Sequence, residues 1–245
     1  MKALDLIAEI QKCVLGEEVK DKLWIVDGGF FKGNFSVEAV KSLKEVQCIG
    51  FEPNRKLFKQ WKESKFSKNN CIQLENLALG RKCGEASYFS SDSFPATNSL
   101  LPRPPGTLSR EPYYPRDAVL RKEAKNVNVI SLDQYFLSRS IPEIFLLKLD
   151  LQGGELEALR GAEDLLKKRS ISIVFVEAVF VEKYENQPLL KDLWEFLAGF
   201  GYRLHSLHDI KTGDYDGAKN IVRVGQFNQC DALFLSEEVI GLMGA

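Results

Sequence analysis

Leu4, Ile7, Ala8, Ile10, Val14 and Leu15 recur at near-helical spacing and end at Gly16, which predicts an amphipathic helix over residues 3–15 that packs on a core. The rhythm then changes. Leu23-Trp24-Ile25-Val26 is an unbroken apolar run that stops at Asp27, Gly28 and Gly29, the pattern of a buried parallel strand feeding a sharp loop. Helical spacing returns over 34–44 with Val37, Val40 and Leu43, and a second strand is read from Val46 to Phe51. Strand, helix and strand make a βαβ unit.

The alternation continues. A helix is predicted after Pro53 through Trp61, a short strand over Cys71–Leu74 and an extended piece over Ala86–Ser90. Strands follow at Val127–Ile130, Ile144–Leu149, Ile171–Val181, Tyr202–Leu207 and Ala232–Leu235, with helices at Glu155–Lys168 and Leu189–Phe200. Alternating strands and helices predict an α/β fold, a doubly wound parallel sheet with helices on both faces. Between Ser91 and Lys125 the rhythm breaks, with Pro95, Pro102, Pro104, Pro105, Pro112 and Pro115 among polar residues. The chain is therefore divided into an N-terminal helical segment, 1–22, and one domain, 23–245, carrying a Pro-rich insertion at 91–125. A long loop of this kind is often functional, and Phe94, Arg103, Arg110, Tyr113, Tyr114, Arg116 and Arg121 equip it as a candidate substrate lid able to stack on a sugar or bind an acidic acceptor.

Composition narrows the function classes. The chain has 245 residues, 44% of them hydrophobic, enough for one large core. Its 33 basic and 34 acidic residues nearly cancel, so no bulk attraction to nucleic acid or an anionic membrane is expected. Cys13, Cys48, Cys71, Cys83 and Cys230 are odd in number and scattered without CxxC spacing, which speaks against a disulfide framework or zinc knuckle and for a reducing, cytoplasmic setting. Acids interrupt every apolar run near the N-terminus, so neither a signal peptide nor a membrane span is expected.

In open α/β sheets ligands bind beyond the carboxyl ends of the strands, and acids fall there repeatedly: Asp27, Glu52, Asp150 and Glu177. Glu52 follows Gly29 by about the twenty-residue interval at which an acid accepts hydrogen bonds from ribose hydroxyls, which implies an adenosine ligand. The alternative is a solvated acid ahead of the next helix. The loop lacks both GxGxxG and GxxxxGK[ST], so dinucleotides and ATP, and with them a dehydrogenase or epimerase, are disfavoured. An acid-Gly-Gly loop suits a ligand with an ammonium or sulfonium, which Asp27 meets directly or through water, while Asp27 also stands to order the loop through backbone amides.

Several separated motifs resemble the FkbM-like branch of class I S-adenosylmethionine-dependent methyltransferases. Asp27-Gly28-Gly29-Phe30-Phe31-Lys32-Gly33 resembles its D-x-G-A-N-x-G loop, Phe51-Glu52-Pro53-Asn54 its F-E-P-x segment, and Leu77-Ala78-Leu79-Gly80 its A-L-G element. Asn98-Ser99-Leu100 is similar to a serine-bearing segment, Val129-Ile130-Ser131-Leu132-Asp133-Gln134-Tyr135 to V-x-T-L-D-D-Y, and Lys148-Leu149-Asp150-Leu151-Gln152-Gly153-Gly154-Glu155 to K-I-D-x-E-G-x-E. The resemblance covers roughly residues 23–210 and extends through Glu157-Ala158-Leu159-Arg160-Gly161-Ala162.

The resemblance implies a Rossmann-like, mostly parallel seven-stranded sheet and S-adenosylmethionine as cofactor. It also implies methyl transfer to a hydroxyl of a small molecule, a saccharide or glycosylated metabolite, and a homo-oligomer is left open. Carried onto this chain, the cofactor residues are Asp27, Gly28, Gly29, Phe30, Glu52, Pro53, Asn76, Leu77, Ala78 and Asp150. A base helps a hydroxyl acceptor, and the candidates are Asp150 first, for its location, and Glu177 second, with Glu155, His205 and His208 behind and Lys148 to steer an acid or orient the acceptor. Glu155 also stands to complement the dipole of the helix it begins. His205 and His208 fall on opposite sides of a strand, so no metal is assigned. The chain departs from the family pattern twice. Phe30-Phe31 replaces the A-N pair, exchanging asparagine hydrogen bonds for apolar contacts, and Gln152 replaces an acid. These departures motivate an alternative function, a catalytically silent cofactor-binding or interaction domain of the same fold.

Overall fold

Strands β1 (Leu23–Gly28) and β2 (Val46–Phe51) lie parallel, Leu23 beside Val46 and Gly28 beside Phe51, as unbroken apolar runs require of strands covered on both faces. A computed structural model describes residues 2–16, 22–92, 94–104, 124–137, 139, 143–212 and 227–244. In it β3 (Ile72–Glu75), β7 (Ile144–Leu149), β8 (Ile171–Val179), β9 (Tyr202–Thr212) and β10 (Phe227–Ser236) complete a seven-stranded sheet in the order β3-β2-β1-β7-β8-β10-β9. β10 runs against its neighbours β8 and β9, while the pairs from β3 through to β8 are parallel. The α/β, doubly wound, mostly parallel seven-stranded architecture expected from the sequence is present.

Successive residues of each central strand enter opposite cores. Val26, Ile49, Leu147 and Val174 pack on one face, while Ile25, Cys48, Leu146 and Ile173 pack on the other with Leu4, Ile7 and Ile10 of the first helix, Ala3–Leu15. The strand order turns back between β1 and β7, where two strands leave for opposite sides of the sheet. That switch point is the crevice in which this architecture takes ligands.

Several elements differ from the sequence expectation. The extended pieces near 86–90 and 127–130 stay out of the main sheet: β4 (Ala78–Leu79), β5 (Gly84–Phe89) and β6 (Ala124–Ile130) form a separate sheet in the order β4-β6-β5. β5 is exposed at half of its positions and has one buried residue, so it suits a one-sided sheet rather than a doubly covered one. The single helix expected over 155–168 is two, Glu155–Arg160 and Glu163–Lys167. Gly161 sits so close to Gly80 that a Cβ there would fall 2.1 Å from the Gly80 carbonyl oxygen, and Asp133 caps the second helix by accepting from the Asp164 and Leu165 amides at 3.0 Å each. Finally, β9 and β10 run longer than predicted, because the added residues 208–212 and 227–231 are mostly polar and form no apolar run. The helices Leu132–Leu137 and Glu237–Met243 were not predicted at all. Among the described residues no helix is long and apolar enough to cross a membrane.

Candidate active site

The loop after β1 is shaped by close backbone approach. Gly29 has φ +77°, and a Cβ there would lie 1.9 Å from the Asp150 carbonyl oxygen, so only glycine fits. The Gly29 and Phe30 amides both donate to the Phe51 carbonyl, at 3.2 and 3.0 Å, which folds the loop over the end of β2. Phe30, expected at the cofactor, is a core residue that also lines a cavity beside the loop. It is 2% exposed, meets Trp61 edge-on at 4.6 Å between ring centroids, and covers Gly50, where a Cβ would fall 2.1 Å from the ring. An apolar ring at this position seals the core beneath the loop. Phe31 takes the left-handed conformation, φ 53°, which asparagine adopts more readily than phenylalanine.

Beneath the loop lies a buried ion pair. Asp27 is fully buried, accepts from Ser36 Oγ at 2.6 Å, and has Lys148 Nζ 2.9 Å from its Oδ1, an ionic contact off the hydrogen-bonding direction. Lys148 also donates to the Gly28 and Gly29 carbonyls, at 3.2 and 2.9 Å. Burial acts to lower its pKa, but the charges of Asp27, Asp150 and Glu177 raise it above the ordinary value, so the ammonium is held. The backbone amides anticipated for Asp27 are not among its contacts with the described residues, which are Ser36 and Lys148; Lys148, expected to steer an acid or orient the acceptor, links this acid to the Gly28 and Gly29 carbonyls.

Glu52 ends β2 and receives the Phe31 amide at 2.8 Å and the Asn54 amide at 2.7 Å, one on each oxygen. Burial pushes its carboxyl up to about 7, against those two amides, which favour the charged form. A carboxyl raised by folding stabilises the fold fully below its ordinary value near 4.5, and that contribution is lost as pH rises through about 7. Glu52→Gln is therefore expected to flatten the fall in melting temperature between about pH 4.5 and 7; an unchanged pH profile would contradict it.

Glu52 lines a cavity with Gly29, Phe31, Pro53, Ala78, Leu79, Tyr88, Pro95, Ala96, Asn98, Leu100, Asp150, Leu151 and Gln152. Pro53 and Ala78 thus line this cavity, whereas Asn76 does not: its amide donates to the Glu52 and Pro53 carbonyls at 2.8 and 3.2 Å and braces the turn from behind. Leu77 packs against the core.

A second cavity adjoins the first, sharing Gly29, Phe31 and Asp150 and adding Phe35, Phe175, Glu177 and Asp231. Gln152 Nε2 donates to both Asp150 Oδ1 and Glu177 Oε2, each at 2.9 Å, so its two amide hydrogens bridge the two acids. Gln229 donates to Glu177 Oε1 at 2.6 Å. Burial, followed by the charges of Asp150 and Glu155, holds the Glu177 carboxyl well above the usual range, and burial lifts Asp231 to about 6. The Gln152 side-chain oxygen lies 3.0 Å from Tyr184 Oη, which also approaches the Thr97 carbonyl at 2.9 Å, and Ser99 Oγ donates to the Gln152 carbonyl at 2.7 Å. The position where the family motif carries an acid therefore holds the donor that two neighbouring acids need.

The remaining candidates lie elsewhere. Glu155 is buried and accepts from the Leu151 amide at 2.7 Å and from the Gly153 amide at 3.0 and 3.1 Å, so it shapes the turn after β7. His205 and His208 sit on β9 and both contact Ser206 Oγ, at 3.1 and 2.8 Å; burial lowers the His208 pKa. Among the described residues no group of three or more His, Cys, Asp or Glu could hold a metal ion. Of the candidate lid, Phe94 and Arg103 are described: Arg103 lies 4.3 Å from the Tyr184 ring centroid and donates to the Lys183 carbonyl at 3.3 Å. Arg110, Tyr113, Tyr114, Arg116 and Arg121 lie outside the described residues. Sequence reading missed Tyr184, Gln229 and Asp231, and had no role for Asn98. Asp231 alone had a local signal, as an acid just before a short apolar run.

A glycine loop closing on β7, a carboxylate at the end of β2 and an apolar slot between them define a nucleoside site of the S-adenosylmethionine-dependent methyltransferase kind. The chain belongs to the methyltransferase FkbM domain family, whose model matches residues 29–204. No curated protein matches it. Among solved structures it is similar to precorrin-6y C5,15-methyltransferase from Geobacter metallireducens GS-15, at 14% identity over 94% of this chain and 87% of that one, TM-score 0.44. It is also similar to magnesium protoporphyrin IX methyltransferase from Synechocystis PCC 6803 with bound S-adenosylmethionine, at 7% identity over 96% and 79%, TM-score 0.46. A third is TrmK of M. capricolum with S-adenosylhomocysteine, at 10% identity over 96% and 67%, TM-score 0.47.

The cofactor is S-adenosylmethionine. The residues present fit it: the slot walls are apolar, and the Glu52 carboxyl stands among them where it would meet the ribose. When bound, the cofactor supplies an electrophilic methyl group on a sulfonium sulfur.

Proposed function

We propose that this methyltransferase acts on a hydroxyl oxygen of a small molecule, a saccharide or glycosylated metabolite, with Asp150 as the base. The observation that carries the reading is the acid pair bridged by Gln152. Asp150 Oδ1 is tied to that amide, while Oδ2 accepts no hydrogen bond from the described protein and the residue lines both cavities. A hydroxyl placed in the second cavity gives its proton to Asp150 Oδ2. Glu177, fixed by Gln152 and Gln229, shares the resulting charge balance and accepts from a neighbouring hydroxyl. Phe31, Phe35 and Phe175 offer apolar ring faces beside the carboxylates Asp150, Glu177 and Asp231, the mixture that grips the carbon face and hydroxyl rim of a sugar. The cofactor residues of this reading are Gly29, Glu52, Pro53, Ala78 and Asp150, with Asp27, Gly28 and Lys148 holding the loop.

Asp150→Asn keeps the acceptor oxygen for Gln152 and replaces only the free one. It is expected to lower kcat by about a hundredfold or more while S-adenosylhomocysteine affinity stays within a few-fold of wild type. The assay is release of S-adenosylhomocysteine with a panel of free saccharides, glycosides and matched amines. Lost affinity with unchanged kcat would make Asp150 a cofactor ligand only, and turnover confined to amines would exclude the hydroxyl acceptor. Tight binding without turnover on any of them would favour the silent domain.

A further inference from the structure

Residues 94–104 roof the cofactor cavity and are fixed from several sides. Ser99 and Phe89 exchange backbone hydrogen bonds at 2.8 and 3.1 Å, Tyr184 Oη meets the Thr97 carbonyl, and Ser99 Oγ donates to the Gln152 carbonyl. Asn98 sits in the middle of this span, 7% exposed, and lines the cavity with Pro95, Ala96 and Leu100. Its Oδ1 accepts the Ser91 amide at 2.7 Å, which sets the amide orientation and leaves Nδ2 as the group still to be satisfied. That Nδ2 is buried and has no hydrogen-bond partner.

A buried amide donor without an acceptor is unfavourable, so its persistence in a rigid turn points to a partner supplied from outside the chain. The surrounding walls narrow the choice. Pro53, Ala78, Leu79, Pro95, Ala96, Leu100 and Leu151 form the apolar part of the cavity, fitted to a flat heterocycle, while the polar groups that face the sugar and the transfer site are the acceptors Glu52 and Asp150. A purine in such a slot brings ring nitrogens that are acceptors and lack donors. The geometry points to Asn98 as the residue that reads the cofactor's base, with Nδ2 donating to a ring nitrogen of adenine. This rests on the assignment of the cavity to the cofactor and adds the residue that selects its nucleobase.

The test is calorimetric binding of S-adenosylhomocysteine and its 1-deaza, 3-deaza and 7-deaza analogues, each of which replaces one ring nitrogen by carbon. Wild type is expected to bind one analogue about tenfold more weakly than the parent. Asn98→Asp keeps the acceptor for the Ser91 amide and removes the donor, so it should bind the parent at least about tenfold more weakly and show no further loss with that same analogue. Equal binding of all three analogues by wild type overturns the assignment without reference to any variant, as do equal analogue losses in both proteins. Glu52→Ala separates this from the parent reading. If S-adenosylhomocysteine binds that variant undiminished, the cavity itself is wrong; if it is lost there while Asn98 makes no difference, only the base-reading role fails.

Discussion

Gly29→Ala is expected to abolish S-adenosylhomocysteine binding and to destabilise the fold by about 3 kcal/mol or more, combining left-handed strain with overpacking. The added Cβ would lie 1.9 Å from the Asp150 carbonyl oxygen and 2.9 Å from its carbon. These are backbone atoms, and they cannot turn aside as a side chain would. The Asp150 amide is bonded to the Gly28 carbonyl at 3.0 Å, so relief requires β1 and β7 to part where their ends carry the site. Parting them also breaks the Lys148 bonds to the Gly28 and Gly29 carbonyls. At about 2–4 °C per kcal/mol for a chain of this size, the melting temperature should drop by roughly 6–12 °C. Gly241→Ala is the control, since a Cβ there meets nothing within 4 Å inside the helix Glu237–Met243. It should gain about 0.5–1 kcal/mol. A Gly29→Ala protein that melts and binds like wild type would mean that β1 and β7 do not approach as described.

Lys148→Met is expected to cost about 3–5 kcal/mol, because it leaves Asp27 as a buried charge with no cation. Asp27 is fully buried and would retain only Ser36 Oγ, while the Gly28 and Gly29 carbonyls would lose a charged donor. The loss is one of pairing, not of volume, since methionine fills nearly the same space. Pairing Lys148→Met with Asp27→Asn should therefore recover a substantial part of the stability lost by Lys148→Met alone, and chemical denaturation of the two singles and the double measures that coupling. Additive losses would show that the pair carries no mutual stabilisation. Lost methyl transfer in Lys148→Met with unchanged stability would instead restore the acceptor-orienting role.

The two departures from the family motif illustrate what sequence reading could and could not reach. Phe30-Phe31 looked like an apolar replacement at the cofactor, but the two rings part company. Phe30 turns down onto Gly50 and Trp61, while Phe31 stays at the cavity and gives its amide to Glu52. Nothing local distinguishes the two, because the side each ring faces depends on a glycine in the next strand. Gln152 looked like the loss of an ionisable group. In the structure it donates to an acid two residues away and to another on the next strand, so its value lies in the partners.

The sequence by itself determined the α/β class, the positions of the central strand ends and the acids Asp27, Glu52 and Asp150 that stand there, with Glu177 just inside the end of β8. Apolar periodicity and glycine stops are local properties, and local properties are legible along a chain. It likewise marked Gly29 and Glu52 as a nucleoside pair, because their spacing spans a single βαβ unit. Only the tertiary structure decided which of the acids is buried against a cation and which faces a cavity. Lys148 reaches the Gly28 and Gly29 carbonyls across 120 and 119 residues, Tyr184 reaches Thr97 across 87, and Gln229 reaches Glu177 across 52. A polar side chain's role is fixed by burial and by the partner it meets, and both are set by which distant strands the sheet brings together.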